Sequence, residues 1–428
     1  MRVLIAGSGG REHALAWACT QGHPEVEVIC APGNGGTAAL ARNVAVAADD
    51  PVAVVRAARA CQADLVVIGP DAALAAGVAD ACIAAGIAAF GPTAAAARIE
   101  SSKWFAKMLM DTAAIPTARW RSAGAEDRDE LLGFIDDLGG RCVVKADGLA
   151  LGKGVIVCDD EATARAAVAA CLDEGRFGSA GTRVLVEERL EGPEVSVLAL
   201  TDGVNLRVLP PARDYKRAGD GDTGPNTGGM GAITPPPGVD DDFLRWVETD
   251  VLHPCIDALA EAGSPFSGCL YAGLMLTADG PRVLEFNARF GDPETQVLLP
   301  ILDEDVLQLL LDSATGRLAP GRVAPGSRPA AAAVVLAAAG YPGAPQRGDV
   351  ITGLDTTDPG VLAFHAGTRR AADGTVRTDG GRVLTLVARG DSLDEARRQA
   401  YAAVAGVHFD GMQYRTDIGI GKERTAAR

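Results

Sequence analysis

Two runs rich in β-branched residues, at positions 143–145 and 155–157, flank a glycine-rich segment near the middle of the chain. Valine and isoleucine pack well on a pleated, half-buried surface, so the pattern predicts the two arms of a β-hairpin. The loop between them carries three glycines, with Lys145 at its start and Lys153 inside it. Glycines let backbone N–H groups approach an anion closely, and two ammonium groups beside them suit a polyphosphate. An exposed hairpin with solvated lysines explains the pattern equally well.

The first hundred residues alternate short apolar strands with helical stretches, which is typical of a doubly wound α/β domain. The pattern predicts strands at 2–6, 26–30, 64–70 and 87–90 and helices at 14–21 and 73–85. The turn at 7–13 places glycines before a helix N-terminus, where they either bind an anion or serve only the tight turn. Because the third glycine of the dinucleotide fingerprint is missing and no acidic ribose anchor ends the second strand, a nicotinamide cofactor is not expected.

The remaining pattern indicates a mixed middle part and a last α+β part. Strands are predicted at 184–190, 195–200, 268–276, 331–338, 361–366 and 382–388, and helices at 161–172, 243–262, 303–311 and 392–406. A further helix begins behind a serine N-cap at 101–102. The Pro- and Gly-rich stretch 317–328 indicates a linker, and Gly380-Gly381 indicates a hairpin turn between Val376 and Arg382.

One predicted strand carries the densest polar run of the chain. On a strand, Glu285, Asn287 and Arg289 share one face, and the other face carries Phe286 and Phe290. A carboxylate and an amide oxygen are hard ligands that suit Mg²⁺ with bound phosphates. An edge strand with a solvated polar face is the alternative, but the two phenylalanines favour a cleft wall.

A second glycine-rich stretch, at 222–231, is long and polar inside a compact region. It follows the charged residues Asp214 and Lys216. Loops of this kind are usually functional or disordered, and this one lacks the charge repetition of a linker, which favours function.

Composition and charge exclude several classes of function. The chain has 428 residues, of which 48% are hydrophobic and 22% charged, which indicates several globular domains rather than disorder. Its net charge of -16 argues against nucleic acid or an anionic membrane as the main partner. The nine cysteines have no zinc-ligand spacing and suit a reducing cytoplasm. No apolar run approaches the roughly 18 residues of a membrane helix.

Five motifs occur in order along the chain. They are Gly-Gly-Arg-Glu-His, Lys-Ala-Asp-Gly-Leu-Ala-Leu-Gly-Lys-Gly-Val, Asp-Thr-Gly-Pro-Asn-Thr-Gly-Gly-Met-Gly, Leu-Tyr-Ala-Gly-Leu-Met and Arg-Phe-Gly-Asp-Pro-Glu-Thr-Gln. On these motifs the chain resembles the phosphoribosylamine–glycine ligase family, also called glycinamide ribonucleotide synthetases, from residue 1 to residue 419.

The resemblance implies an ATP-grasp fold that is α/β and α+β in class and has four parts. These are a pre-ATP-grasp, Rossmann-like domain at 1–102, a small lid subdomain with its connecting helix at 103–190, a large ATP-grasp subdomain at 191–325 and a small C-terminal α+β domain at 326–428. In this fold the two ATP-grasp subdomains hold ATP between them.

The resemblance also implies the reaction and its participants. Members of the family join glycine to 5-phosphoribosylamine in purine biosynthesis and convert ATP to ADP and phosphate through glycyl phosphate. The expected cofactors are ATP and Mg²⁺, with Mn²⁺ as a substitute. The expected protein is a cytoplasmic monomer without nucleic-acid or membrane partners, and a transient contact with the enzyme that makes phosphoribosylamine is a further candidate interaction.

The family's functional residues map onto this sequence position by position. The resemblance assigns ATP binding to Lys103, Lys145, Gly152, Lys153, Glu187, Glu188, Leu190 and Glu194, and metal binding to Glu285 and Asn287. It assigns substrate binding to Gly9, Gly10, Arg11, Asp214, Lys216, Asn226, Thr227, Gly228, Gly229, Arg289 and Asp292, and catalysis to Lys153, Lys216 and Arg289. Arg213 and Tyr215 stand where glutamine and histidine are common, which leaves the role of Asp214's neighbourhood open, and Leu151 and Ala288 replace residues of similar size.

Three other functions compete with this interpretation. Another ATP-grasp ligase or carboxylase would share the lysines, Glu285 and Asn287 but should lack the Gly-Pro-Asn-Thr-Gly-Gly-Met-Gly run. A nucleotide sensor would bind ATP without turnover, but the intact set of charged residues argues against it. A dinucleotide oxidoreductase is disfavoured by the incomplete glycine fingerprint.

Overall fold

The computed structural model describes residues 1–148, 154–174, 176, 178–356 and 358–420. Its N-terminal part contains strands β1 (Arg2–Gly7), β2 (Glu27–Pro32), β3 (Arg42–Asn43), β4 (Leu65–Ile68) and β5 (Ala88–Phe90), and helices α1 (Gly10–Thr20), α2 (Thr37–Leu40), α3 (Pro51–Cys61), α4 (Asp71–Ala75), α5 (Val78–Ala84) and α6 (Arg98–Ser101). The strands pair in parallel in the order β3-β2-β1-β4-β5, which confirms the doubly wound domain. The single helix predicted at 73–85 is wrong. It is divided into α4 and α5, because Gly77 between them has a φ of +83° and a left-handed residue ends a helix.

The next part is a small subdomain with a four-stranded antiparallel sheet. It contains α7 (Lys103–Thr112), β6 (Trp120–Ala123), α8 (Arg128–Asp137), β7 (Cys142–Ala146), β8 (Val155–Cys158), α9 (Glu161–Leu172) and β9 (Val184–Glu188), with strand order β6-β9-β7-β8. Strands β7 and β8 pair with Lys145 opposite Val155, which confirms the hairpin. The side chain of Ser102 accepts a hydrogen bond from the Phe105 N–H at 3.1 Å, which confirms the predicted N-cap.

The large subdomain is built on a mixed five-stranded sheet in the order β17-β16-β10-β11-β18. Its elements are β10 (Glu194–Asp202), β11 (Leu206–Val208), β12 (Arg213–Asp214), β13 (Arg217–Gly219), β14 (Thr223–Asn226), β15 (Gly231–Thr234), α10 (Asp241–Val247), α11 (His253–Glu261), β16 (Ser267–Thr277), β17 (Gly280–Asn287), α12 (Glu294–Leu298), α13 (Val306–Ala314) and β18 (Gly321–Arg322). A π-helical turn at Glu248–Leu252 joins α10 to α11, so the helix predicted at 243–262 is nearly continuous. The predicted linker at 317–328 is wrong in part, because it contains β18, which pairs with β11.

The C-terminal part shares its central sheet with the preceding subdomain. It contributes β19 (Ala330–Ala337), β20 (Val361–His365), β21 (Thr368–Arg370), β22 (Val376–Thr378), β23 (Arg382–Gly390) and α14 (Leu393–Val404), and its sheet has the order β12-β15-β19-β23-β20. The hairpin predicted across Gly380-Gly381 is wrong, because β22 pairs with β21 and β23 pairs with β19 and β20. In the described part of the chain, no helix is long and apolar enough to cross a membrane.

The packing separates the sheet of the small subdomain and helices α8 and α9 from the neighbouring parts. This body has its own apolar core, which includes Leu131 and Val144, whereas α7 packs into the core of the neighbouring parts. The N-terminal domain and the large subdomain instead share a core, in which Leu4 belongs to the same cluster as Leu270 and Phe286. Charged residues at the edge of the small subdomain therefore lie between two separately packed bodies, and clefts of this kind commonly bind ligands.

Candidate active site

Lys145 lies at the base of the hairpin loop and is held by a buried carboxylate. Its Nζ is 2.8 Å from Oε1 of Glu187 on β9 and donates a hydrogen bond to the Leu284 carbonyl at 3.4 Å. The other carboxylate oxygen of Glu187 lies 2.9 Å from Nζ of Lys107 on α7. Although burial opposes ionisation, the two lysines hold the pKa of Glu187 below its usual value. The predicted ATP contact Glu187 thus shares its carboxylate between two lysines, of which Lys107 was missed by the sequence analysis.

The other predicted nucleotide contacts lie on either side of this pair. Lys103 at the start of α7 donates from Nζ to the Gly148 carbonyl at 2.9 Å, so it reaches the base of the same loop. Glu188 points to the surface, where Nε of Arg119 is 3.1 Å from its Oε2, and Leu190 is half-buried just beyond β9. Gly152 and Lys153 lie outside the described residues.

The predicted metal ligands lie at the end of β17. The Glu285 side chain is 41% exposed, and its Oε1 is 3.8 Å from Nζ of Lys216. Burial opposes ionisation of Glu285, but Lys216 and further cations hold its pKa below the usual value. Asn287 Oδ1 accepts a hydrogen bond from Nη2 of Arg289 at 3.3 Å. Strand alternation therefore accounts for Glu285 and Asn287, while Arg289 reaches them from beyond the end of the strand.

Arg289 is fixed by a carboxylate of the N-terminal domain. Its Nη2 is 2.9 Å from Oε1 of Glu100 on α6, and the other Glu100 oxygen accepts the Ala288 N–H at 2.8 Å. Burial raises the pKa of Glu100, and Arg289 opposes this. Glu100 is a second residue that the sequence analysis missed, because nothing local distinguishes it from a solvated helix residue.

Lys216 lies among carboxylates beside Glu285, on the wall of the cleft that the large subdomain forms. Its Nζ is 2.7 Å from Oε2 of Glu194 at the start of β10. Although burial acts in the opposite direction, Glu194 and Asp214 raise the pKa of Lys216 well above its usual value. Burial raises the pKa of Asp214 to about 8, with Lys216 opposing and Glu294 adding to the rise. This wall carries more acidic than basic groups, so it suits an ammonium group or a cation.

A buried polar trio supports this wall. The hydroxyls of Ser196 and Tyr271 are 2.8 Å apart, and Tyr271 donates to Oε1 of Glu294 at 2.9 Å. Ser196 lies 3.2 Å from the same oxygen. All three residues are almost fully buried. Tyr271 and Glu294 belong to the quoted motifs, and this was the available signal, but neither was predicted as a site residue.

The second glycine-rich stretch folds back onto Lys216. Thr227 donates to the Lys216 carbonyl from its N–H at 2.7 Å and from its hydroxyl at 2.9 Å. Gly229 has a φ of +108°, and a Cβ there would lie 2.5 Å from Cδ of Pro293. Asn226 is exposed at the end of β14. The stretch is therefore part of the same site, and Gly229 is required by both its conformation and its packing.

Two residues of the C-terminal part hold the second glycine-rich stretch in place. Nη1 of Arg382 donates to the Gly228 carbonyl at 2.6 Å, and its Nη2 is 3.0 Å from Oδ2 of Asp292. The Tyr341 hydroxyl accepts the Gly228 N–H at 2.9 Å. Burial opposes ionisation of Asp292, but Arg382 holds its pKa below the usual value. Neither Arg382 nor Tyr341 was predicted.

The N-terminal glycine turn has internal partners. The Gly9 N–H donates to Oε2 of Glu12 at 2.6 Å, and a Cβ on Gly10 would lie 2.6 Å from Nε2 of Gln296. The Arg11 guanidinium is buried and lies 2.6 Å from Oε1 of Glu12. Packing therefore explains these residues, and their predicted role in substrate binding stays a prediction.

The charged cleft does not coincide with the large cavity of the small subdomain. A cavity of about 880 Å³ lies between α7, β6 and α8 and is lined by Met110, Trp120, Arg121 and Phe134 among others. It contains none of the predicted nucleotide or metal contacts. We therefore locate the site by its converging charges rather than by cavity size.

Comparison with known proteins agrees with this arrangement. The sequence matches the phosphoribosylglycinamide synthetase N domain over residues 1–100, its ATP-grasp (A) domain over 101–295 and its C domain over 331–421. The chain belongs to the phosphoribosylglycinamide synthetase family. This confirms the predicted family and ATP-grasp fold, and it removes the oxidoreductase from the alternatives.

Relatives match nearly the whole chain. The phosphoribosylamine–glycine ligase of Streptomyces coelicolor is 50% identical over 422 residues, which are 98% of each chain. That of Rhodopirellula baltica is 48% identical over 425 residues, 97% of this chain and 96% of the relative. The human trifunctional purine biosynthetic protein adenosine-3 is 44% identical over 98% of this chain, which is 42% of that protein.

Solved structures show the same fold. The phosphoribosylamine–glycine ligase of Thermotoga maritima superimposes with a TM-score of 0.84 at 36% identity, over 97% of this chain and all of the other. A biotin carboxylase from Campylobacter jejuni gives a TM-score of 0.73 at 15% identity, over 96% of this chain and 92% of the other. The second likeness shows a shared ATP-grasp fold alone.

Proposed function

We propose that this chain ligates glycine to 5-phosphoribosylamine with ATP, releasing glycinamide ribonucleotide, ADP and phosphate. The observation that carries the proposal is that Lys145 and Arg289 both bond to the end of β17, where Glu285 lies, at the junction of the two ATP-grasp subdomains. The family membership and the names of its relatives support the reaction. The four-part division at 102, 190 and 325 remains our proposal for the domain boundaries.

The residues fit a nucleotide with a divalent cation. Glu285 and Asn287 offer two hard oxygen donors, and in the described part of the chain no group of three or more His, Cys, Asp or Glu side chains could hold an ion by itself. Mg²⁺ typically keeps several waters and takes one or two protein ligands together with phosphate oxygens, which matches a site with only two protein ligands. We propose Mg²⁺, with Mn²⁺ as a substitute. When bound, the ion would neutralise phosphate charge.

The protein's own groups supply the rest of the chemistry. A carboxylate is a poor acyl donor because its leaving group would be oxide, and phosphorylation replaces it with a good leaving group. Arg289 and Lys145 would stabilise the charge of the phosphoryl group as it moves to the glycine carboxylate. Lys216 and the surrounding acidic residues would orient the two amines. Burial raises the pKa of Cys269, the cysteine nearest in sequence to the acidic wall, so a thiolate nucleophile is not expected.

We further propose that the enzyme is a cytoplasmic monomer that exchanges only small molecules, apart from a transient contact with the enzyme that supplies phosphoribosylamine. The nine cysteines are all free and buried, which fits a reducing compartment.

ADP release is the decisive assay. ADP release should require both glycine and freshly generated phosphoribosylamine. Reactions that omit each substrate in turn test this requirement. ADP release with bicarbonate in place of the amine would indicate a carboxylase. Nucleotide binding without any substrate-dependent ADP release would indicate a sensor.

A further inference from the structure

We infer that Lys107 is a positioning residue for nucleotide binding, because it shares the Glu187 carboxylate with Lys145 and so leaves the three side chains with a net positive charge. Neither the family's assigned residues nor the mechanism above uses Lys107. The inference depends on the proposed function only in placing the nucleotide phosphates beside Lys145.

The first support is burial. The Lys107 side chain is 2% exposed, that of Glu187 3% and that of Lys145 10%. Moving a lysine out of water is costly unless it is paired. Lys145 alone would suffice to pair Glu187, so packing needs do not explain why a second lysine is buried here.

The second support is the division of the carboxylate. Lys107 lies 2.9 Å from Oε2 of Glu187 and Lys145 lies 2.8 Å from Oε1, so each oxygen faces one lysine. Lys107 also donates to the Thr117 hydroxyl at 2.7 Å. This second bond fixes the Lys107 ammonium group, which in turn fixes the rotamer in which Glu187 meets Lys145.

The third support is the connection to the metal strand. The Thr117 hydroxyl donates to the Val283 carbonyl at 2.6 Å, and Thr117 forms a parallel β-bridge with Val283. Val283 lies two residues before Glu285 on β17. Lys107 therefore joins the small subdomain to the strand that carries the predicted metal ligands, so its loss would affect both walls of the nucleotide cleft.

The net charge of these three side chains predicts how the loss of Lys107 changes nucleotide affinity. Two lysines and one carboxylate carry a net charge of +1, whereas Lys145 and Glu187 alone would be neutral. The first arrangement attracts a polyphosphate and the second does not. Removal of Lys107 should therefore weaken nucleotide binding, and additional removal of the Glu187 charge should restore it.

Three variants test this, with equilibrium binding of a Mg²⁺-bound non-hydrolysable ATP analogue as the readout. Lys107→Met should weaken binding about tenfold, which corresponds to about 1.4 kcal/mol. It should raise the KM for ATP but leave the KM for glycine unchanged, a split that general unfolding would not produce. Lys107→Arg keeps the charge and should restore most of the affinity. Lys107→Met/Glu187→Gln has a net charge of +1 and should bind more tightly than Lys107→Met.

Two results would overturn the inference. One is a double variant that binds no better than Lys107→Met, which would mean that the Glu187 carboxylate itself contacts the nucleotide. The other is a Lys107→Met protein with a lower Tm and unchanged affinity, which would mean a purely structural role. If Lys107→Met does not fold, Thr117→Val decides, because it removes the hydrogen bond that fixes the Lys107 ammonium group. Weaker binding of the analogue is expected, and unchanged binding refutes the inference. The equilibrium binding measurements omit both amine substrates, so they are independent of the turnover test of the proposed function.

Discussion

Replacement of Arg289 by alanine should lower turnover far more than nucleotide affinity. The guanidinium lies 3.3 Å from Oδ1 of Asn287, beside the predicted metal ligands. A donor placed where charge develops typically contributes about 10²–10³ in kcat. We therefore expect kcat to fall by about 10²–10³ and ADP affinity to change by less than about tenfold, since the charge acts mainly in the transition state.

The same substitution also leaves Glu100 without its ion-pair partner. The Arg289 and Glu100 side chains are 21% and 8% exposed, so the pair is largely buried. Breaking such a pair typically costs about 3–5 kcal/mol of stability. Burial already raises the pKa of Glu100 against the effect of Arg289, so in the variant the pKa of this carboxyl should rise further. The folded state then binds more protons than the unfolded state, and stability should rise as the pH falls through the raised pKa.

A double variant separates the two effects. Arg289→Ala/Glu100→Gln removes the orphaned carboxylate, so it should regain most of the lost stability and lose its pH dependence. It should not regain turnover. Arg289→Lys is the matched control that keeps a positive charge in a different geometry. Tm is measured across pH, together with steady-state ADP release and ADP binding. Recovery of kcat together with Tm in the double variant would refute a direct role for Arg289 in the chemistry.

The other predictions concern the metal site, the glycine-rich stretch and the intermediate. Glu285→Ala should abolish turnover at ordinary Mg²⁺ with Tm nearly unchanged, because the lost side chain is 41% exposed, and near-normal activity would discard the metal assignment. Asn287→Ala should be milder, since the lost ligand is neutral. Gly229→Ala should lower both Tm and activity, because φ is +108° there and the new Cβ would lie 2.5 Å from Cδ of Pro293; a fully active, equally stable variant would contradict this. With ¹⁸O in the glycine carboxylate, one label should reach the released phosphate for each amide formed, whereas unlabelled phosphate or release of AMP and pyrophosphate would exclude direct phosphoryl transfer to glycine.

The pattern of apolar and polar residues was sufficient to predict a helix or strand wherever that element is determined by its own residues. The helix at 161–172 and the hairpin arms around Lys145 agree with the structure, because their periodicity and turn glycines act over short distances. Single glycines were harder to interpret. Gly77 divides a helix because its backbone is left-handed, yet an isolated glycine in a helical pattern is often tolerated. Pairing of β23 was missed for a different reason, since its partners β19 and β20 lie elsewhere in the sequence.

The candidate site likewise combines residues that are close in sequence with residues that are far apart in sequence. The predicted ligands that could be argued from the residues, such as Glu285 and Asn287, sit two apart on one strand. Their supporting residues come from far away. Glu100 is 188 residues from the Ala288 N–H that it accepts, and Arg382 is 154 residues from the Gly228 carbonyl that it binds.

Charge type alone could not have identified these supports, because an isolated Glu or Arg in a sequence is usually solvated. What distinguishes them is that folding removes them from water next to an opposite charge, and burial of that kind is a property of the assembled domains. Arg382 bonds both Asp292 and the Gly228 loop from the first residue of β23. The C-terminal domain therefore contributes to the predicted substrate side of the cleft, and a site assembled only from the ATP-grasp motifs would lack the groups that hold its glycine loop in place.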